Sequence, residues 1–174
     1  MTMTENKPLS RHESRRVVFT LLFAWEFHKE EKAIDFYYAN KEEAEVTYTD
    51  YIRDTFLGTA EHLSEIDSSI EQYAVKWKVS RMARVTRSLL RLAVYEILYT
   101  ETPARAVINE IVEFAKEYDD ASSPAFINGI LNTLARDNGK IVSEPKADGT
   151  EDIPNAADPE KEGAEAYYNS IFEL

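Results

Sequence analysis

LLRLAVYEILY, residues 89–99, is apolar around nearly the whole circumference of the helix that it would form. A helix of this kind is normally buried on all sides, at the centre of a bundle of other helices. The segments around it place apolar residues at steps of three and four, which is the spacing of amphipathic helices, and none alternates as a strand does. The sequence therefore predicts an all-α fold.

Start signals divide the chain into about seven helices. Ser10 followed by Glu13 is a capping-box pattern. Thr49 and Ser64 are candidate caps of later helices, because their hydroxyl oxygens can accept from an unpaired N–H. Pro124 fits the first turn of the last helix, where a missing N–H costs nothing.

The totals of the sequence favour a single domain and limit how it could bind nucleic acid. The chain has 174 residues, which suits one domain or one domain with a tail. Its formal net charge is −12, which excludes loose binding of the whole surface to nucleic acid or to an anionic membrane. Any contact with a polyanion must therefore come from a local cationic patch.

Several classes of chemistry have no residues to carry them. The absence of cysteine excludes disulfides and thiolate metal sites, and the three histidines are scattered without ligand spacing. Glycine is rare and neither phosphate-binding glycine pattern occurs, while serine-nucleophile and zinc-protease motifs are also absent. We therefore expect no metal, no cofactor and no enzymatic activity.

Composition changes after about residue 138. Residues 140–166 are rich in Glu, Asp, Pro, Gly and Ala, which is typical of disorder. We predict a flexible N-terminus at 1–9, a helical domain at 10–138 and an acidic tail at 139–174. The last nine residues, AYYNSIFEL, form either a short docking helix or a frayed end. The chain has no signal-peptide pattern and no apolar run of about 20 residues, so we expect a cytoplasmic protein without membrane contact.

A basic cluster stands at the start of the first helix, where the helix dipole disfavours positive charge. Its members are Arg11, His12, Arg15 and Arg16. One interpretation is a phosphate-binding patch beside aromatic residues of the same helix. The other is an ordinary charged surface that Glu13 partly offsets.

Two further positions have both a structural and a functional interpretation. Arg91 interrupts the apolar central helix, and a buried guanidinium is costly unless a carboxylate meets it. Glu110 is the candidate partner, and a structural clamp between helices is favoured over a catalytic pair. Phe126 lies near a helix start, where it could stack on a base or belong to the core.

Four stretches together resemble the NusB family, over about residues 10–136. They are RHESRRVVFTLLFAWEF (11–27), LLRLAVYEILY (89–99), PARAVINEIVEFAKEY (103–118) and SSPAFINGILNTLAR (122–136). The resemblance implies a compact helical domain that pairs with the ribosomal protein NusE and binds boxA RNA of ribosomal RNA leader transcripts. It also implies that the complex joins RNA polymerase and suppresses termination.

The resemblance also implies roles for individual residues. Phosphate contacts fall on Arg11, His12, Arg15 and Arg16, and Phe126 falls on the RNA-contacting surface. Phe23 and Thr86 fall on the side that binds the protein partner. Members of the family occur as monomers and dimers, so a homodimer is possible and the oligomeric state stays open.

Other interpretations remain beside this one. A helical protein-binding scaffold would show no preference for boxA RNA. An RNA-modifying enzyme would need a catalytic constellation that the residues do not supply. We also hypothesise that the acidic tail competes with RNA for the basic cluster and so lowers binding to unrelated RNA.

Overall fold

A computed structural model describes residues 8–142, which form seven α-helices, one 3-10 turn and no strand. The all-α prediction is confirmed. The predicted acidic tail lies almost wholly outside the described residues, as does most of the predicted flexible N-terminus. The helices are α1 (Arg11–Trp25), α2 (Ala33–Glu43), α3 (Asp50–Glu61), α4 (Leu63–Tyr73), α5 (Arg84–Tyr99), α6 (Ala104–Tyr118) and α7 (Ser123–Asp137), with the 3-10 turn Val79–Arg81 between α4 and α5.

Helix α5 is the centre of the bundle, as its apolar sequence predicts. It packs against α1, α3, α4, α6 and α7. The leucines Leu89, Leu90 and Leu92 are fully buried, as are Ala93 and Val94. Helix α2 lies at the periphery, where it packs on α1 and α3.

The predicted start signals hold for α1 and α3 but not for α4. Ser10 Oγ accepts from the backbone N–H of Glu13, and the Glu13 carboxylate accepts from the backbone N–H of Ser10. Thr49 Oγ1 accepts from the N–H of Ile52. Ser64 does not cap α4, because α4 already begins at Leu63. A single residue separates α3 from α4, so the chain leaves no room for a cap at Ser64.

Arg91 is held by carboxylates, but the predicted partner Glu110 is wrong. Arg91 Nε and Nη2 donate to the two carboxylate oxygens of Asp67 at 2.7 and 2.8 Å, and Arg91 Nη1 donates to Glu26. The reason is the direction in which Arg91 points. It faces α4 and the end of α1, whereas Glu110 on α6 faces the first turns of α1 and binds His12 there.

Candidate nucleic-acid interface

Arg11 is the outermost cation of the basic cluster. Its side chain is exposed, and its guanidinium carbon lies 4.0 Å above the ring centre of Tyr51 at the start of α3. A cation–π contact of this kind orients the guanidinium without neutralising its charge. Within residues 8–142 no carboxylate pairs with Arg11. Arg11 is therefore available to an external anion.

Arg15 is turned into the protein and is not a surface cation. Only 3% of its surface is exposed. Its Nε donates to Glu96 Oε2 at 2.7 Å and its Nη2 to Glu96 Oε1 at 3.0 Å. Burial lowers the pKa of Arg15, and the hydrogen bonds and negative charge of Glu96 more than offset this, so the pKa lies above its usual value. Its burial contradicts the predicted direct phosphate contact.

His12 and Arg16 form a chain of polar contacts with α6. His12 Nδ1 lies 2.7 Å from Glu110 Oε2, and Arg16 Nη2 lies 3.2 Å from Glu117 Oε2 and 3.3 Å from His12 Nε2. Arg16 is 43% exposed, as is typical of a surface ion pair. Its Nε is buried and has no hydrogen-bond partner within residues 8–142. This one donor without a partner is buried, so the availability of Arg16 to an external anion rests on the exposed part of its guanidinium.

This surface has less available positive charge than the sequence predicts. The carboxylates Glu110 and Glu117 of α6 lie directly beside His12 and Arg16. Opening an exposed ion pair such as Arg16–Glu117 costs about 0–1 kcal/mol. Breaking a buried pair such as Arg15–Glu96 costs about 3–5 kcal/mol. The available cations are therefore Arg11 and Arg16, and Arg15 serves the fold.

Phe126 is buried, which contradicts its predicted contact with RNA. Its exposed fraction is 4%, and it belongs to the apolar core. Phe126, Ile130 and Leu134 are spaced at one helical turn and lie on the face of α7 that packs against α4, α5 and α6. A ring on this face cannot stack on a base while α7 keeps its place.

Aromatic rings cluster around the C-terminal end of α1: Phe23 lies on α1, Phe27 lies two residues after its end, and Tyr118 is the last residue of α6. We call Phe23, Phe27 and Tyr118 the aromatic strip. Phe27 is 58% exposed and its ring centre lies 5.5 Å from that of Phe23. Phe19 connects the strip, with its ring centre 6.3 Å from Phe23 and 5.3 Å from Tyr118. The guanidinium of Arg84 lies 4.6 Å above the Phe27 ring.

The sequence interpretation identified only part of this surface. It named Phe23, which is half-buried, and missed Phe27, Tyr118 and Arg84. The four-residue spacing of Phe23 and Phe27 is the signal that points to this surface, because residues at this spacing share a helix face, and the turn after α1 keeps the two rings in contact.

Thr86 has a structural position between α5 and the end of α6. It is buried, and its Oγ1 donates to Asp119 Oδ2 at 2.5 Å. This bond joins the first turn of α5 to the residue after α6. Burial contradicts the predicted direct contact of the Thr86 side chain with a partner.

These features define a class of protein. It is an all-helical domain with available cations at the start of its first helix and exposed rings next to the end of that helix, from the residues after α1 and from α6. Residues 8–142 contain no cluster of three His, Asp or Glu side chains that could hold a metal ion. No helix in that range is long and apolar enough to cross a bilayer.

Comparison with known proteins gives the family. The matching family model is described as the NusB family and covers residues 12–136, which is more than half of the chain. The chain therefore belongs to the NusB family.

Individual relatives agree with this assignment. The transcription antitermination protein NusB of Thermoanaerobacter sp. (strain X514) is 38% identical over 133 residues, which cover 75% of this chain and 94% of the relative. The solved structure of T. maritima NusB is 34% identical, with a TM-score of 0.68, over 76% of this chain and 97% of that one. A crystal structure of antitermination factors NusB and NusE in complex with dsRNA is 28% identical, with a TM-score of 0.63, over 73% of this chain and 96% of that one.

Proposed function

We propose that this chain is an RNA-binding transcription antitermination factor. Together with NusE it binds boxA RNA of ribosomal RNA leader transcripts, joins RNA polymerase and suppresses termination. The family match supports this proposal, because antitermination proteins match this chain over nearly their full length. The observation that carries it is that one domain has two available cations at the start of α1 and the aromatic strip around the C-terminal end of α1, since an adaptor needs one surface for each ligand.

The RNA surface consists of Arg11, His12 and Arg16 at the start of α1, where His12 contacts Arg16. Single-stranded RNA is held through its phosphates and 2′-hydroxyls and through its unstacked bases. Two available guanidinium groups on a chain of net charge −12 support only weak binding. A cationic ribosomal partner beside them would extend the positive surface, so the partner is required for tight binding.

The partner surface is the aromatic strip together with Arg84. Phe27 and Tyr118 are large rings left in solvent, and such rings at an interface provide much of the binding free energy when a partner covers them. We assign NusE to this surface because it is continuous with α1, whose first turns hold the RNA. A cytoplasmic location and the absence of enzymatic activity remain predictions, and the choice between monomer and homodimer stays open.

The RNA surface is tested by charge reversal with a matched control. We expect Arg16→Glu to weaken binding of a boxA oligoribonucleotide at least about tenfold, because a hydrogen bond to a charged group contributes about 1.5–3 kcal/mol. The control is Arg53→Glu, since Arg53 on α3 has the same 43% exposure and is also ion-paired. Fluorescence anisotropy measures both, in the presence of NusE. Equal effects of the two variants would reject this RNA surface.

Salt dependence gives a second readout of the same surface. The slope of log affinity against log salt concentration should become shallower by about 0.7 for each phosphate that the variant no longer neutralises. An unchanged slope in Arg16→Glu would show that Arg16 binds no phosphate.

The partner surface is tested by truncating one ring. We expect Phe27→Ala to weaken NusE binding by more than tenfold, as measured by calorimetry. Tyr38→Ala on α2 is the control, because Tyr38 is also a largely exposed ring but lies away from the aromatic strip. A protein-binding scaffold is the alternative function. It predicts NusE binding with no preference for boxA RNA over unrelated RNA.

A further inference from the structure

The two polar contacts of the His12 ring select one tautomer. An ionised carboxylate only accepts hydrogen bonds, so Nδ1, at 2.7 Å from Glu110 Oε2, must carry the proton. A guanidinium only donates, so Nε2, at 3.3 Å from Arg16 Nη2, must be the acceptor. Both contacts fit the same neutral ring, with its proton on Nδ1 and a lone pair on Nε2. His12 is therefore an acceptor beside Arg16 in the RNA surface.

Glu110 holds this ring in place through Nδ1. Its Oε2 also accepts from Nη1 of Arg15 at 3.4 Å, and Arg15 is itself fixed by Glu96. The His12 ring also packs against Phe114, with 5.1 Å between ring centres. A ring held at one nitrogen and packed against a second ring has a fixed direction for its other nitrogen. That direction leads to Arg16, at the exposed surface.

We propose that His12 Nε2 accepts a hydrogen bond from a ribose 2′-hydroxyl and so makes this surface prefer RNA over DNA, with Glu110 as its positioning residue. The inference rests on the proposed function. When Arg16 leaves His12 and Glu117 for a phosphate, the lone pair of Nε2 is uncovered next to that phosphate. The 2′-hydroxyl is a donor on the same sugar-phosphate backbone, and DNA lacks it.

The same residues also explain what Arg15 does for the RNA surface. Arg15 does not contact RNA, yet it connects the buried carboxylate Glu96 to Glu110 and thereby to His12. The buried pair thus fixes the position of the first turns of α1 against α5 and α6. Arg15 and Glu110 are positioning residues, and His12 is the contact.

The test compares one boxA oligoribonucleotide with the 2′-deoxy strand of the same sequence, using the full chain with NusE. We expect the wild-type protein to prefer the ribose strand about three- to tenfold through this one bond. His12→Asn should lose that preference, because its amide can reach Glu110 but places no acceptor at Nε2. His12→Gln should keep part of it, because its amide oxygen reaches the position of Nε2.

Two variants of Glu110 test the positioning role. Glu110→Ala should lower the ribose preference although His12 is intact, whereas Glu110→Gln should restore it by providing an acceptor for Nδ1–H. The ratio of the two affinities cancels the general gain in RNA binding that loss of a negative charge brings. In the wild-type protein, the nitrogen NMR shifts of the His12 ring should show that the proton is on Nδ1. In Glu110→Ala, the shifts should show that the ring is no longer held in this one tautomer.

The outcomes separate this inference from the proposed function. If the wild-type protein with NusE binds neither strand, both fail. If it binds the RNA strand and His12→Asn keeps the full ribose preference, or the wild-type protein shows none, the role of His12 is rejected and the proposed function stands. A proton found on Nε2 in the free protein would also reject the inference.

Discussion

Arg15 and Glu96 form a two-point ion pair that is buried between α1 and α5, with N–O distances of 2.7 and 3.0 Å. A variant that removes only the guanidinium leaves a buried carboxylate without compensation. We therefore expect Arg15→Met to lower the free energy of unfolding by about 3–5 kcal/mol. Urea unfolding followed by circular dichroism measures this loss.

The adjacent arginine provides the control for that prediction. Arg16→Met breaks only an exposed pair, so its effect should stay within about 1 kcal/mol. The double variant Arg15→Met with Glu96→Leu should recover much of the lost stability, because no charge remains buried. Similar losses in Arg15→Met and Arg16→Met would contradict the burial of the Arg15 pair.

The contrast between Arg15 and Arg16 shows what the sequence could and could not predict. Consecutive residues of a helix point about 100° apart, so one arginine can face the core while the next faces solvent. Arg15 lies three residues before Val18 and seven before Leu22, on the buried stripe, and this spacing was a readable signal. Its partner was not readable, because pairing with Glu96 depends on how α1 packs on α5.

The fold was more predictable than the site for a physical reason. Burial of apolar stripes follows from the periodicity of a single segment, so the central position of α5 could be derived from residues 89–99 alone. The partners of charged groups depend on the relative rotation of two helices. For this reason the sequence alone suggests Glu110 as the partner of Arg91, whereas Glu110 binds His12 and Arg15 in the structure.

The buried carboxylate of Glu26 should make the free energy of unfolding decrease at acidic pH. It is buried and accepts from Arg87 and Arg91. Burial raises the pKa of Glu26, but the hydrogen bonds of Arg87 and the charges of both arginines outweigh it and hold the pKa at about 2, against an ordinary value of 4.5. A lowered pKa means that this stabilisation is complete above pH 4.5 and is lost as the pH falls toward 2.

The measurement is the free energy of unfolding of Glu26→Gln and of the wild-type protein between pH 7 and pH 2. At pH 7 the variant should be less stable by about 3 kcal/mol. The difference should shrink as the pH falls below 4.5, because the wild-type carboxylate becomes protonated. Glu113→Gln on the exposed face of α6 is the control and should follow the wild-type profile. A difference that stays constant down to pH 2 would contradict this assignment.

Gly58 lets α3 and α5 approach closely. A Cβ atom at this position would overlap Oη and Cζ of the Tyr95 ring, far inside van der Waals contact. Alanine normally stabilises a helix interior by about 1 kcal/mol relative to glycine. Here we expect Gly58→Ala to destabilise the protein by about 1–3 kcal/mol, because the Tyr95 ring must swing away from its stacked neighbour Tyr99.

Thermal unfolding of the single and double variants tests this contact. Tyr95→Leu removes the obstructing ring, so adding Gly58→Ala to it should cost much less than adding Gly58→Ala to the wild-type protein. Equal costs in the two backgrounds, or a stabilising Gly58→Ala, would show that the ring is not what excludes a side chain at this position.

The charge of the acidic tail leads to a hypothesis about binding to unrelated RNA. Residues 143–174 have nine acidic and two basic side chains, so they hold −7 of the net charge of −12, and the family match ends at residue 136. We expect removal of residues 143–174 to raise affinity for unrelated single-stranded RNA several-fold at low salt. A cut at 143 keeps Ile141, which packs against the core. The gain should vanish at high salt, where screening shortens the range of the tail's field.

A tail with scrambled order should act like the native one, because the effect depends on charge, and an unchanged affinity after removal would reject the hypothesis.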